Sequence, residues 1–159
     1  MRTIETTVYN FSELSDEAKE KAISEIKSWP DLFGWSDEWK DSIMAFCNRF
    51  NVKLKDWSIG PWCNVDYTHD ATNKNFRGLK IKDVNRFETP TGFCGDCDLW
   101  QTFYDEFKHT GDALAAFDSA IYAGFKSWRN DWEHAYDDEA IIEFIEGNEY
   151  EFTEDGKRI

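Results

Sequence analysis

Large apolar side chains recur three or four positions apart in three stretches of this chain, and that spacing constrains its fold more than any other feature. The stretches are Trp39, Ile43, Phe46, Cys47 and Phe50; Leu99, Trp100, Phe103, Tyr104 and Phe107; and Leu114, Phe117, Ile121, Phe125 and Trp128. Residues so spaced share one face of an α-helix, so each stretch predicts a helix with its apolar face in a core. Ser36 followed by Asp37 and Glu38 opens the first, Gly111 ends the second, and Asp112 caps the third, which extends to about His134. Ser15-Asp16-Glu17 opens another helix through Ala18, Ala22, Ile23 and Ile26, stopped at Trp29-Pro30, and a short acidic helix runs from Asp137 or Asp138 to Glu146.

Elsewhere the period is closer to two. Residues 2–11 are rich in β-branched and aromatic types and predict an opening strand. Val52, Leu54 and, past a slip, Trp57 and Ile59 lead to Gly60-Pro61, after which Trp62, Asn64 and Asp66 alternate with Cys63, Val65 and Tyr67. That pattern predicts a hairpin around a Gly-Pro turn. Residues 70–95 predict short elements and loops, and Tyr150 to Phe152 a final strand that pairs with the opening strand or the hairpin. The expected architecture is one α+β domain over residues 1–159, a small antiparallel sheet packed with four to five helices.

The longest apolar runs, such as Ala140-Ile141-Ile142, fall far short of the roughly 20 residues of a membrane span. The start, Met1-Arg2-Thr3-Ile4-Glu5, has no apolar leader region, so the expected location is the cytoplasm of the cell that makes it, with the four cysteines as reduced thiols. The 32 acids against 18 bases leave a net charge of −14. Such a chain repels DNA, RNA and anionic lipid, so neither direct nucleic-acid binding nor a membrane partner is expected. Residues 131–159 carry 11 acids and 2 bases, net −9, which is nearly two-thirds of the excess.

Few residues carry chemistry beyond their bulk. Cys94 and Cys97 have metal-ligand spacing, and they are the candidate zinc ligands, with Cys47, Cys63, His69 or His109 needed to complete a set of four. The second half of the usual paired motif is missing, so no cofactor is expected. The spacing is also that of a redox pair. Carboxylate pairs such as Asp105 with Glu106, Asp137 with Asp138 and Glu143 with Glu146 arise by chance in a chain with 32 acids. The three histidines fall in no metal or triad signature, and no glycine loop is followed by the lysine of a phosphate-binding loop. The expectation is a protein that is not an enzyme. Of the eight tryptophans, Trp39, Trp100 and Trp128 sit at core spacing, whereas Trp29, Trp35, Trp57, Trp62 and Trp132 are candidates for an exposed contact surface.

Four stretches together, YNFSELSDEAKEKA over residues 9–22, VKLKDWSIGP over 52–61, CGDCDLW over 94–100 and NEYEFTEDGKR over 148–158, carry a resemblance. Over most of its length the chain resembles a family of small acidic proteins encoded by bacteriophages and prophages. The resemblance implies a setting, in which small acidic accessory proteins often inhibit host defence in the anti-CRISPR or anti-restriction manner, and it brings no catalytic residues with it. The expected function is therefore an inhibitor whose partner is a host defence effector with a basic nucleic-acid-binding surface. The candidate partner-binding residues are Asp131, Glu133, Asp137, Asp138, Glu139, Glu143 and Glu146, with Trp132 and Tyr136 supplying dry contacts. Two alternatives stand beside it: a Trp/Tyr-lined pocket that sequesters a nucleotide signal, with Lys74, Arg77, Lys80, Lys82 and Arg86 for phosphate, and an antitoxin-like neutraliser of a basic toxin.

Overall fold

The helical periods fold as helices, and Ser15, Asp112 and Asp137 each supply a side-chain acceptor for the first free N–H groups of one of them. A computed structural model describes residues 7–30, 32–60, 63–68 and 74–159. In it α1 spans Asp16–Lys27, α2 Ser36–Arg49, α3 Cys94–Thr110, α4 Ala113–Ala135 and α5 Asp138–Gly147. Ser15 Oγ accepts from the Ala18 N–H at 3.3 Å and Asp112 Oδ1 from Leu114 N at 3.0 Å, which supplies partners for donors a helix start leaves open. Gly111, at φ 73°, stops α3 in the left-handed conformation that glycine adopts without strain.

The strands form two separate antiparallel pairs rather than the one small sheet expected. β1 (Tyr9–Asn10) pairs with β4 (Glu151–Phe152), and β2 (Lys53–Ser58) pairs with β3 (Asn64–Thr68). β1 ends where Asn10 leads straight into a 3-10 turn at Phe11–Glu13. The slip between Leu54 and Trp57 is a register shift: Leu54 faces Tyr67 and Asp56 faces Asp66, leaving Lys55 as the extra residue of a bulge. The N-terminal part of the expected opening strand and the Pro61-Trp62 turn lie outside the described residues.

The α+β chain is organised as two compact units, Met1–Phe33 with His134–Ile159, and Gly34–Glu133. The second unit is built around stacked rings. Phe46 of α2 lies 5.1 Å from Trp100 and 5.9 Å from Phe103, both on α3, and 5.3 Å from Phe117 on α4. Phe50 stacks on Phe76 at 5.2 Å, and Trp57 of the hairpin rests 4.9 Å from Trp128. Gly124 lets two helices of this unit approach, because a Cβ there would lie 2.6 Å from Leu99 Cδ2. The first unit buries aliphatic residues instead, Ala18, Ala22 and Ile26 of α1 against Ile141 and Ile145 of α5, closed by Phe11 and Phe152.

The C-terminal turn is locked onto α1 by a single glycine. Gly156 has φ +83°, and a Cβ on it would stand 2.1 Å from the Ala18 carbonyl oxygen. Gly156→Ala combines left-handed strain with a backbone clash and should destabilise the chain by about 2–5 kcal/mol. Gly147→Ala, where a Cβ meets nothing within 4 Å, should leave stability unchanged or slightly higher. Paired urea melts check this, and equal midpoints for the two variants would contradict it.

Candidate protein-docking face

The seven expected carboxylates are all exposed, but they are divided between the two units and many have local work. Asp131 and Glu133 lie on α4 in the second unit. Asp131 Oδ2 accepts the indole N–H of buried Trp39 at 2.8 Å, so it satisfies a core donor. Glu133 pairs with Arg129 one turn back at 2.8 Å, an exposed pair of small energetic weight. Trp132 and Tyr136 are half-buried.

The remaining acids belong to the first unit. Asp137 is the N-cap of α5, its Oδ1 accepting from Glu139 N at 2.9 Å, and Asp138 forms an ion pair with Lys27 of α1. Glu139, Glu143 and Glu146 are different. Spaced four and three apart, they share an exposed face of α5, and no described side chain pairs with them.

Beyond Glu146 the structure adds residues that the sequence reading did not single out. Glu149 follows the helix at φ 53°, a left-handed conformation at a position where glycine is the usual residue. It completes a helix stop in which Tyr150 N donates to Ile145 O at 3.2 Å and Glu149 N to Glu146 O at 3.1 Å. Glu146, Glu149 and Glu151 then border an open groove of about 410 Å³, with Phe11, Ile145 and Tyr150 among its apolar lining and Asn10 and Ser12 opposite. The available signal was electrostatic: three acids within six residues at a helix C-terminus, where the backbone carbonyls already concentrate negative charge.

Charge is distributed as unevenly between the units as along the chain. The first unit carries 16 acids against 6 bases, net −10, and the second 16 against 12, net −4. Next to the groove an aromatic cluster stiffens the first unit: Tyr150 lies 5.7 Å from Phe144 and 5.9 Å from Trp29, and the Arg158 guanidinium sits 3.9 Å from the Tyr150 ring.

The other candidate chemistries find little geometry. Cys94 and Cys97 fall in the first turn of α3, and among the described residues no group of three or more His, Cys, Asp and Glu is placed to hold a metal ion. His69 lies outside the described residues, His109 is in the last turn of α3, and Cys47 is buried with its thiol pushed up to about 12 by burial. Cys63 donates to Phe125 O at 3.9 Å. Buried Asp96, missed in the sequence, anchors this helix start: its Oδ2 accepts from Thr91 N, Thr91 Oγ1 and Gly92 N at 2.9–3.0 Å. An acid at the third helical position was its signal.

Asp105 is held below the usual carboxylate range by its two-pronged contact with Arg86, the reverse of what a general acid needs. The same contact occupies Arg86, one of the five cations assigned to phosphate. Trp35 is 58% exposed and stacks on Phe93 at 6.2 Å. Among the described residues no helix is long and apolar enough to cross a membrane. No protein-family model, curated protein or solved structure matches the chain.

The Cys94 thiol is raised above its ordinary value by burial and by the carboxylates of Asp131 and Asp98. Redox-active thiols are depressed instead. Alkylation of Cys94 by iodoacetamide should therefore rise with pH through a midpoint above that of free cysteine, with little reaction at pH 7. A midpoint below that of free cysteine would restore the redox reading.

Proposed function

We propose that this chain is a phage-encoded inhibitor that binds a host defence effector stoichiometrically and covers its basic, nucleic-acid-handling surface with the acidic end of α5. The observation that carries the reading is the placement of Glu146 and Glu149, where both oppose the fold. A carboxylate near a helix C-terminus is unfavourable by about 0.3–1 kcal/mol, and a non-glycine residue in the left-handed region adds about 1–2 kcal/mol. Both side chains are exposed and neither has an ion-pair partner among the described residues, so local stability does not account for them. Strain and unfavourable charge held at a groove are the marks of a residue kept for binding.

The groove suits a lysine or arginine side chain, with apolar walls for the methylenes and carboxylates for the charged head. The α5 row favours covering a groove over copying a duplex. Glu139 to Glu146 spans about 10.5 Å of helix, over which a DNA duplex carries about six charges and the row three. A nucleotide-signal pocket has less support: the Trp100-lined pocket of the second unit is about 150 Å³ and none of the five cluster cations lines it, whereas ordinary ligand sites begin near about 300 Å³. The antitoxin-like alternative shares the same acidic face.

The test is a pull-down from the bacterial host with partners identified by mass, comparing the native chain with Glu146→Gln/Glu149→Gln/Glu151→Gln. The native chain should retain a nucleic-acid-handling protein that added DNA or RNA displaces and that salt releases steeply, and the triple variant should lose about 10–100-fold in affinity. Glu149→Gly should separate the two roles, raising stability by about 1 kcal/mol while weakening capture. Capture of one partner unchanged in both variants, or resistant to salt, would overturn the proposal.

A further inference from the structure

The connector before α3 reverses the charge of the rest of the chain. Residues 71–88 hold five bases, Lys74, Arg77, Lys80, Lys82 and Arg86, against two acids, Asp83 and Glu88, net +3, while the remaining positions carry 13 bases and 30 acids, net −17. No acid falls between Ala71 and Lys82. Arg86 is taken up by Asp105. Lys74, Arg77, Lys80 and Lys82 are all exposed, and none makes an ion pair with a described residue. With 32 acids in the chain partners are not scarce, so these four cations stand unpaired within nine residues despite their mutual repulsion.

The backbone that carries them is held in place. Phe76, 7% exposed, stacks on Phe50 at 5.2 Å and lies 5.4 Å from Phe117, which pins the run to the aromatic core. Gly78 turns the chain at φ 75°, Leu79 N donates to Phe76 O at 3.4 Å, and Asp83 N donates to Lys80 O at 2.8 Å. Past the cations stands Phe87, a large apolar side chain left 63% exposed. Its backbone N–H donates to Asn85 Oδ1 at 3.0 Å, and the Arg86 guanidinium, itself fixed by Asp105, lies 5.4 Å from its ring. The ring is supported at its base and mostly open to solvent.

We propose that this connector is a contact surface for single-stranded nucleic acid, in which Lys74, Arg77, Lys80 and Lys82 meet phosphates and Phe87 stacks on a base. Unpaired cations and an exposed aromatic ring are the two elements that single-strand binding combines. A duplex keeps its bases stacked on one another and offers Phe87 no face. Asp83 and Glu88 flank the cations in sequence and weaken their field without pairing to them. The net charge of −14 opposes the encounter at long range, which is why bulk composition predicts no such partner. At physiological salt, however, fields are screened over about 8 Å, so on contact the local cations outweigh distant acids. The surface lies wholly within the second unit and stands independently of the acidic groove.

The experiment follows the fluorescence anisotropy of a labelled oligothymidine strand titrated with the full chain. Four phosphate contacts predict a slope of about −3 for log affinity against log salt, a loss of about 50-fold between about 50 and 200 mM. Lys74→Gln/Arg77→Gln/Lys80→Gln/Lys82→Gln should weaken binding by about tenfold or more. Lys21→Gln/Lys40→Gln/Lys108→Gln/Lys126→Gln removes the same charge at exposed lysines elsewhere and should weaken it by less than about threefold. Phe87→Ala, a change at an exposed side chain that leaves the core intact, should cost about 5–100-fold. Glu146→Gln/Glu149→Gln/Glu151→Gln should bind no more weakly than the native chain, so failure of the docking-face reading would leave this result standing. No binding at about 50 mM salt, equal losses in the two four-site variants, or unchanged affinity in Phe87→Ala would overturn the proposal. Displacement of the strand by phosphatidylserine vesicles would also overturn it, in favour of a lipid surface.

Discussion

The second unit depends on one packing constraint, the seating of Phe46 of α2 and of Phe50, just past its end, among rings from α3 and α4. Phe46 touches Trp100, Phe103 and Phe117, and Phe50 extends the stack to Phe76, so two side chains one helical turn apart join α2 to α3, α4 and the long connector. Both are buried, and truncating a buried phenylalanine typically removes about 3–5 kcal/mol, a large share of the 5–15 kcal/mol that holds a domain folded.

The first unit is governed by a different balance. Its core is aliphatic, and its surface carries −10 of the chain's −14 charge. Several acids there contribute to folding: Asp137 caps α5, Asp138 pairs with Lys27, and Asp16 and Glu17 lie at the favourable N-terminus of α1. Glu146 and Glu149 do the opposite, and their local cost is offset elsewhere, by the Ile141 and Ile145 packing and by Arg158 lying against the Tyr150 and Trp29 rings. On the proposed reading, the groove beside Glu146, Glu149 and Glu151 holds its carboxylates on a packed support, so less ordering is lost when a cationic side chain docks than with a flexible acidic tail.

Helix positions were legible because caps and period agree. Ser15, Ser36 and Asp112 stand at or beside the helix starts, Gly111 at a stop, and the apolar spacing between them leaves little freedom. Even the bulge at Lys55 showed as a slip in alternation. The pairing of Tyr9 with Phe152 was one of two options, because pairing joins distant segments and sequence spacing does not choose between them. The acidic site was only half legible. Composition placed negative charge in the last helix, yet it could not separate Asp131, which holds an indole N–H, and Glu133, which pairs with Arg129, from Glu143 and Glu146, which pair with no described side chain. Asp96 escaped for a related reason. Its role depends on which donors folding brings to it, here those of Thr91 and Gly92, and that is a property of three-dimensional neighbours.

The claim that the far end of α5 is the docking face is tested most directly by hydrogen exchange on the free chain and on its complex with the captured effector. Amides from Glu143 to Glu151 should gain protection in the complex, at low salt and not at high salt, while those of the hairpin Lys53–Thr68 stay unchanged. A footprint on the hairpin or the first turn of α3, with α5 exchanging as in the free chain, would contradict the account.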